Sequence, residues 1–194
     1  MRRRYSTLLV AISAVVLSAQ APVTWKIRDV PPEFRTVVAR ADLMIAAMHD
    51  SVLRELADAF AQGGADQAIN SCHVDSLLIT QRLGREGAAA GRTSDRLRNP
   101  TNAPRPWAAP IVKANAGRRS QDVEGFAVDL GDKLGVIRPI SLRSICANCH
   151  GPADRLSPGV RAVLAERYPA DKAVGFKEGD IRGWFWVEIP KRPR

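Results

Sequence analysis

Apolar residues recur at intervals of three or four from Phe34 through Val38, Ala41, Ile45, Met48, Val52, Leu56 and Phe60. That spacing predicts one amphipathic helix over about 32–62. Pro31 and Pro32 suit its start, and Gly63-Gly64 suits its end. A second helix follows, which Asp66 can cap. Wound at about 100° per residue, it puts Ala65, Ala68, Ile69, Cys72, Ser76, Ile79 and Leu83 on one side. Val74, Leu77 and Leu78 fall off that stripe, so this helix is buried on more than one face or is less regular. Gly84, Gly87 and Gly91 unwind it.

Residues 92–110 carry Pro100, Pro104, Pro106 and Pro110 with Asn99 and Asn102, a composition that predicts a long ordered loop. Short β-like segments come next, at Gly125–Leu130, Val136–Ile140 and Ile181–Ile189, with a helix at Pro158–Tyr168 between the last two. Trp184, Phe185 and Trp186 in the final strand are expected to fill the core rather than cover a ligand. This order of elements predicts an α+β domain without internal repeats.

The first residues stand apart. Arg2, Arg3 and Arg4 precede an apolar run from Leu8 to Leu17, no acid occurs in residues 1–19, and Ser18-Ala19-Gln20-Ala21 offers a small-residue exit. These features predict a secretory signal peptide over 1–19. Cleavage after Ala19 is preferred, because a cut after Ala21 would put Pro22 first. A leader over 20–31 and a single domain over 32–190 complete the expected organisation. An apolar run of roughly ten residues falls short of the roughly 18 needed to span a bilayer. The mature chain is therefore expected to be soluble and periplasmic, or otherwise exported, with no transmembrane segment.

The 194 residues are 45% hydrophobic and 25% charged, which argues against disorder and against a fibre. The formal charge of +9 falls to +6 once the three leader arginines are removed. The remaining basic residues are scattered, so no nucleic-acid partner is expected. They read as a solvated surface that could also meet an acidic protein or an anionic membrane.

Three cysteines, Cys72, Cys146 and Cys149, cannot make a multi-disulfide framework. Two of them belong to Cys146-Ala147-Asn148-Cys149-His150, the C-x-x-C-H pattern of c-type haem attachment. One turn of chain presents both sulfurs to the same porphyrin edge, and the next residue offers an imidazole to the iron. One covalently attached haem c is thus expected, with Cys146, Cys149 and His150 as its attachment and proximal residues. A Cys146–Cys149 redox disulfide and a zinc half-site are the competing readings. Zinc would need ligands from His49, Cys72 or His73, the remaining histidines and cysteine.

Further residues extend the pattern: Arg92-Thr93-Ser94, Arg98-Asn99-Pro100 with Asn102, Pro104 and Trp107, and Arg138-Pro139-Ile140. Tyr168-Pro169, Asp171, Ala173 and Gly179-Asp180-Ile181-Arg182-Gly183 continue it. Together they resemble, over roughly residues 35–190, a family of exported c-type haem domains with a PAS-like fold. The resemblance implies long N-terminal helices packed on a small antiparallel sheet, with iron held by the C-x-x-C-H histidine and an upstream cysteine. Carried over, these are His150 and Cys72. It also implies a role as a redox or ligand sensor, or as a low-potential electron carrier, with a redox or signalling protein as partner.

Chemistry alone leaves the second axial position open to Cys72, His73, His49, Met44, Met48, water or nothing. Cys72 is also well placed to be a small buried hydrophobe, and Met44 and Met48 to be core filler. A thiolate ligand would favour ferric iron and lower the potential. In the 92–105 loop, Arg92, Arg98, Arg96 and Arg105 are candidates to pair with haem propionates, Arg92 and Arg98 foremost. No distal histidine stands clearly beside an acid or base, and no nucleophile triad or phosphate loop is evident. Sensing or electron transfer is therefore expected rather than catalysis, with no catalytic residue assigned.

Overall fold

The computed structural model describes residues 21–83 and 87–192, except for the side chains at 67 and 70–83. The expected signal peptide lies outside the described residues. Five antiparallel strands form one sheet in the order β1-β3-β4-β5-β2. They are β1 (Thr24–Lys26), β2 (Ala89–Thr93), β3 (Phe126–Asp129), β4 (Lys133–Ser141) and β5 (Ile181–Pro190). The helices are α1 (Arg35–Leu83), α2 (Ala109–Ala114), α3 (Ala147–His150) and α4 (Pro158–Arg167). This is the α+β class expected, with one long helix laid across an antiparallel sheet.

Both faces of the sheet are covered, and the central strand β5 is accordingly buried along nearly its whole length. The first half of α1 sends Val37, Val38, Ala41, Ile45 and Met48 onto one face, against Leu134, Val136, Phe185, Val187 and Ile189. The opposite face receives Ile111 and Val112 of α2, packed with Val128, Ile137, Trp184 and Trp186. Neighbouring residues on a strand point to opposite faces, so the aromatic run divides. Phe185 joins the α1 side, while Trp184 and Trp186 join the α2 side. All three are core residues, exposed by 4%, 1% and 9% respectively. A bidentate pair fixes α1 to β4: Arg138 Nε donates to Asp42 Oδ1 at 2.8 Å and Nη2 to Oδ2 at 2.6 Å.

The two predicted N-terminal helices are the two arms of α1, which meet at a kink at Gly63 and Gly64, where the expected boundary falls. Gly64 has φ +71° and ψ −160°, a backbone conformation that a side chain disfavours. Beyond the break, the second arm leaves the sheet and docks on α4. Ile69 and Ala65 meet Leu156, Val160 and Leu164 there. The carboxylate of Asp66 rests against Gly159 in the first turn of α4, where the positive end of a helix favours an acid. Ser157 caps the same turn, accepting from Val160 N at 3.1 Å.

Three elements differ from expectation. The leader over 20–31 contains β1, which lies along β3 at the sheet's edge; three residues are too few to show a period. Ala89–Thr93, where glycines were expected only to unwind a helix, is strand β2. Chain beyond the proline-rich loop forms α2, with Pro110 in its first turn, where its missing N–H is harmless. Among the described residues no helix is long and apolar enough to cross a membrane.

Gly91 of β2 faces Trp186 of β5 in register, and a Cβ there would lie 2.7 Å from Trp186 Cζ2. Gly91→Ala should force the indole aside and destabilise the fold by about 1–3 kcal/mol, the usual cost of overpacking. Urea unfolding of the two chains measures it, and an unchanged midpoint would show that the indole yields without cost.

Candidate cofactor site

The C-x-x-C-H segment folds as a 3-10 turn, Ser144–Cys146, running directly into α3. Residues three apart on such a turn share a face, and both cysteines line one cleft together with His150. Both cysteines are half-buried. The empty space of the cleft, mouth included, is about 1200 Å³. Its apolar wall comes from α1: Val52, Leu56 and Phe60 before the break, Ala68 and Ile69 after it. Val52, Leu56 and Phe60 continue the stripe that lower down packs on the sheet. They are only half-buried, because the cleft rather than the sheet lies opposite them.

His150 is held in one tautomer. Its Nδ1 lies 2.7 Å from the Ala173 carbonyl oxygen; a carbonyl only accepts, so Nδ1 carries the hydrogen and Nε2 keeps its lone pair. Burial, reinforced by the nearby positive charges of Arg182 and Arg98, holds the imidazole well below its ordinary pKa. The ring is therefore neutral at physiological pH, the form in which histidine ligates iron.

The Ala173 carbonyl is itself fixed. Arg98 Nε donates to Asp171 Oδ2 at 3.0 Å, and Asp171 Oδ1 accepts from Ala173 N at 2.8 Å. Arg98 Nη2 donates to the Cys149 carbonyl at 2.6 Å. Backbone bonds complete the join, from Gly175 N to Gly151 O at 2.7 Å and from Phe176 N to His150 O at 3.0 Å. Arg96 secures the next turn through Nη1 to Val174 O at 2.9 Å, its guanidinium lying 3.4 Å from the Phe176 ring centre.

The sequence-derived candidates thus separate. Cys146, Cys149, His150, Arg92 and Arg98 all line the cleft, and Arg98 has Asp171 as its ionic partner. Arg105 pairs with Glu188 at 3.4 Å and stands over Trp186, while Arg96 binds Val174 O; neither is part of the cleft lining. Met48 is buried in the sheet core, Met44 packs against it, and His49 sits edge-on to Phe185. The side chains of Cys72 and His73 lie outside the described residues, although their backbone belongs to the second arm of α1. Among the described residues no three His, Cys, Asp or Glu side chains gather as a metal site.

Two cleft residues entered the sequence reading only as part of the resembling motifs, with no role at the site assigned to them. Thr93 Oγ1 and Arg182 Nε are sealed from solvent and lack a hydrogen-bond partner. Burial, and then the neighbouring Arg98 and Arg92, push the Arg182 guanidinium down to about 9. Arg182 lies at the start of β5, where Ser94 Oγ donates to its carbonyl at 2.9 Å. A pairing across 88 residues of sequence leaves no local signal. Haem fits this donor set: two thiols and a neutral imidazole on one wall, an apolar wall facing them, and unmatched cationic groups.

Residues 14–190 match the family model described as Tll0287-like. The fold is similar to that of a solved structure described as the cyanobacterial heme-protein Tll0287. The TM-score is 0.59 at 22% identity, over 85% of this chain and 99% of that one. No curated protein matches.

Arg98 and Asp171 are only 13% and 9% exposed, so removing one partner strands a buried charge. Arg98→Met should destabilise the chain by about 3–5 kcal/mol. Asp171→Asn should cost less on the Arg98→Met background than alone. A double-mutant cycle read by denaturant unfolding measures the coupling, and strictly additive costs would contradict it.

Proposed function

As this chain belongs to the Tll0287-like family, we propose that it is an exported protein whose PAS-like domain over 32–190 carries one covalently attached haem c. The placement of both C-x-x-C-H thiols and of His150, its Nδ1 on the Ala173 carbonyl, on one apolar cleft carries this reading. The signal peptide over 1–19 takes the chain to the compartment where such haem is attached. Each thiol, of Cys146 and of Cys149, adds across one vinyl double bond, its hydrogen going to the adjacent carbon, so the attachment consumes no oxidant. The bound haem supplies a one-electron iron couple and a site for a sixth ligand. His150 Nε2 and the Cys72 thiolate are the groups that would hold the iron.

The protein acts in this reading as a redox or ligand sensor. The break at Gly63–Gly64 favours that role, because it gives the arm bearing Cys72 a different backbone course from the part of α1 fixed to the sheet. As a thiolate Cys72 would favour ferric over ferrous iron, so the arm that bears it would be the element sensitive to the iron's valence. The basic surface suits an acidic protein partner for the signal or the electron. If both ligands stay in place through the redox cycle, the same chain is a one-electron carrier.

The periplasmic holoprotein, produced with haem-attachment machinery, should show a thioether haem by mass and by its alkaline pyridine spectrum. Its ferric EPR should carry a low-spin thiolate signature that Cys72→Ser removes. Carbon monoxide should bind the ferrous wild type readily. Coincident EPR spectra would make Cys72 structural, and a ferrous form inert to carbon monoxide would favour the carrier.

A further inference from the structure

Three arginines and no acid line the cleft: Arg92, Arg98 and Arg182. Arg98 is matched by Asp171 at 3.0 Å. Other nearby acids are engaged elsewhere. Asp95 is exposed, its carboxylate 3.3 Å from the Ser94 hydroxyl, and Asp180 accepts from Lys177 N with Arg119 at 3.8 Å. Among the described residues no hydrogen bond or ion pair involves the guanidinium of Arg92 or of Arg182; Arg182 has the Phe176 ring, 5.4 Å from its centre, and the longer-range attraction of the Asp171 carboxylate that Arg98 already holds. A buried guanidinium lacking an anion loses solvation and gains nothing in return. Two unmatched guanidinium groups therefore face one cleft.

Haem carries two propionates, on the porphyrin edge away from the vinyl groups that the cysteines take. Arg98 is tied to the Cys149 carbonyl and so belongs to the attachment side. We infer that Arg182 and Arg92 hold the two haem propionates, one each, and that Arg98 keeps Asp171 as its partner and positions the attachment segment. The two negative charges match the two free cations, and a guanidinium fork suits a carboxylate. Arg182 thereby gains the anion that its burial demands. This assignment rests on the haem reading above and adds Arg182 to the binding residues.

The test uses the intact holoprotein, because the thioethers retain the haem when a propionate contact is lost. Resonance Raman propionate-bending bands are compared among wild type, Arg182→Gln, Arg92→Gln and, as a charge-loss control, the exposed Arg54→Gln. Arg182→Gln and Arg92→Gln should each shift a propionate band while mass still shows one attached haem. Arg54→Gln should leave those bands in place. Should Arg182→Gln fail to fold, Arg182→Lys keeps the charge but not the fork and should still shift its band. Bands unmoved by every Arg182 and Arg92 substitution in a haem-loaded protein overturn this assignment alone. A wild type isolated without thioether haem overturns the haem reading itself, and this one with it.

Discussion

The Arg98–Asp171 pair holds together three stretches of chain that no regular secondary structure joins. Arg98 comes from the proline-rich loop, Asp171 from the turn after α4, and the carbonyl that Arg98 also takes is that of Cys149. Through Asp171 the pair sets Ala173 N, and the carbonyl of Ala173 sets the ring of His150. A side chain on a four-residue helix cannot be oriented by that helix alone. Its direction is imported from a buried charge pair, whose own geometry is fixed by one hydrogen bond and one further ion-pair contact to the same carboxylate oxygen.

The sheet supplies the rigid side of the site. Because α1 and α2 cover opposite faces, the central strands β4 and β5 have nowhere to move. Their ends, at Ile140 and Ser141 on one and Arg182 and Gly183 on the other, form the floor of the cleft. Functional groups thus stand at the margin of a packed core, where side chains are fixed yet still reachable.

Much of this was legible in the sequence because it is written in local spacing. The three-and-four recurrence from Phe34 to Phe60 marks the first arm of α1, Gly63-Gly64 marks its break, and C-x-x-C-H marks the site. What escaped depends on contacts distant along the chain. Val52, Leu56 and Phe60 share the periodicity of Val38 and Ile45, and only the tertiary arrangement decides that one set meets a cleft and the other a sheet. Strand β2 was hidden because Gly91 disfavours a strand unless an indole packs over it, and that indole belongs to Trp186. Arg98 showed itself as a loop arginine, but that an aspartate 73 residues later would claim it was invisible.

The order of strands has a consequence for how the chain keeps to itself. A sheet with two open margins offers backbone donors and acceptors to any passing strand, and the usual protection is a margin too short to template one. Here β1 provides it on one side: three residues ending in Lys26, laid along β3, whose Ala127 and Val128 are fully buried. Without Thr24–Lys26, β3 would become the boundary, an apolar row ready to zip onto a second molecule. The few residues between the expected leader cleavage and the first helix therefore cover the apolar edge of β3, and trimming the amino terminus past them would lay that row open to another strand.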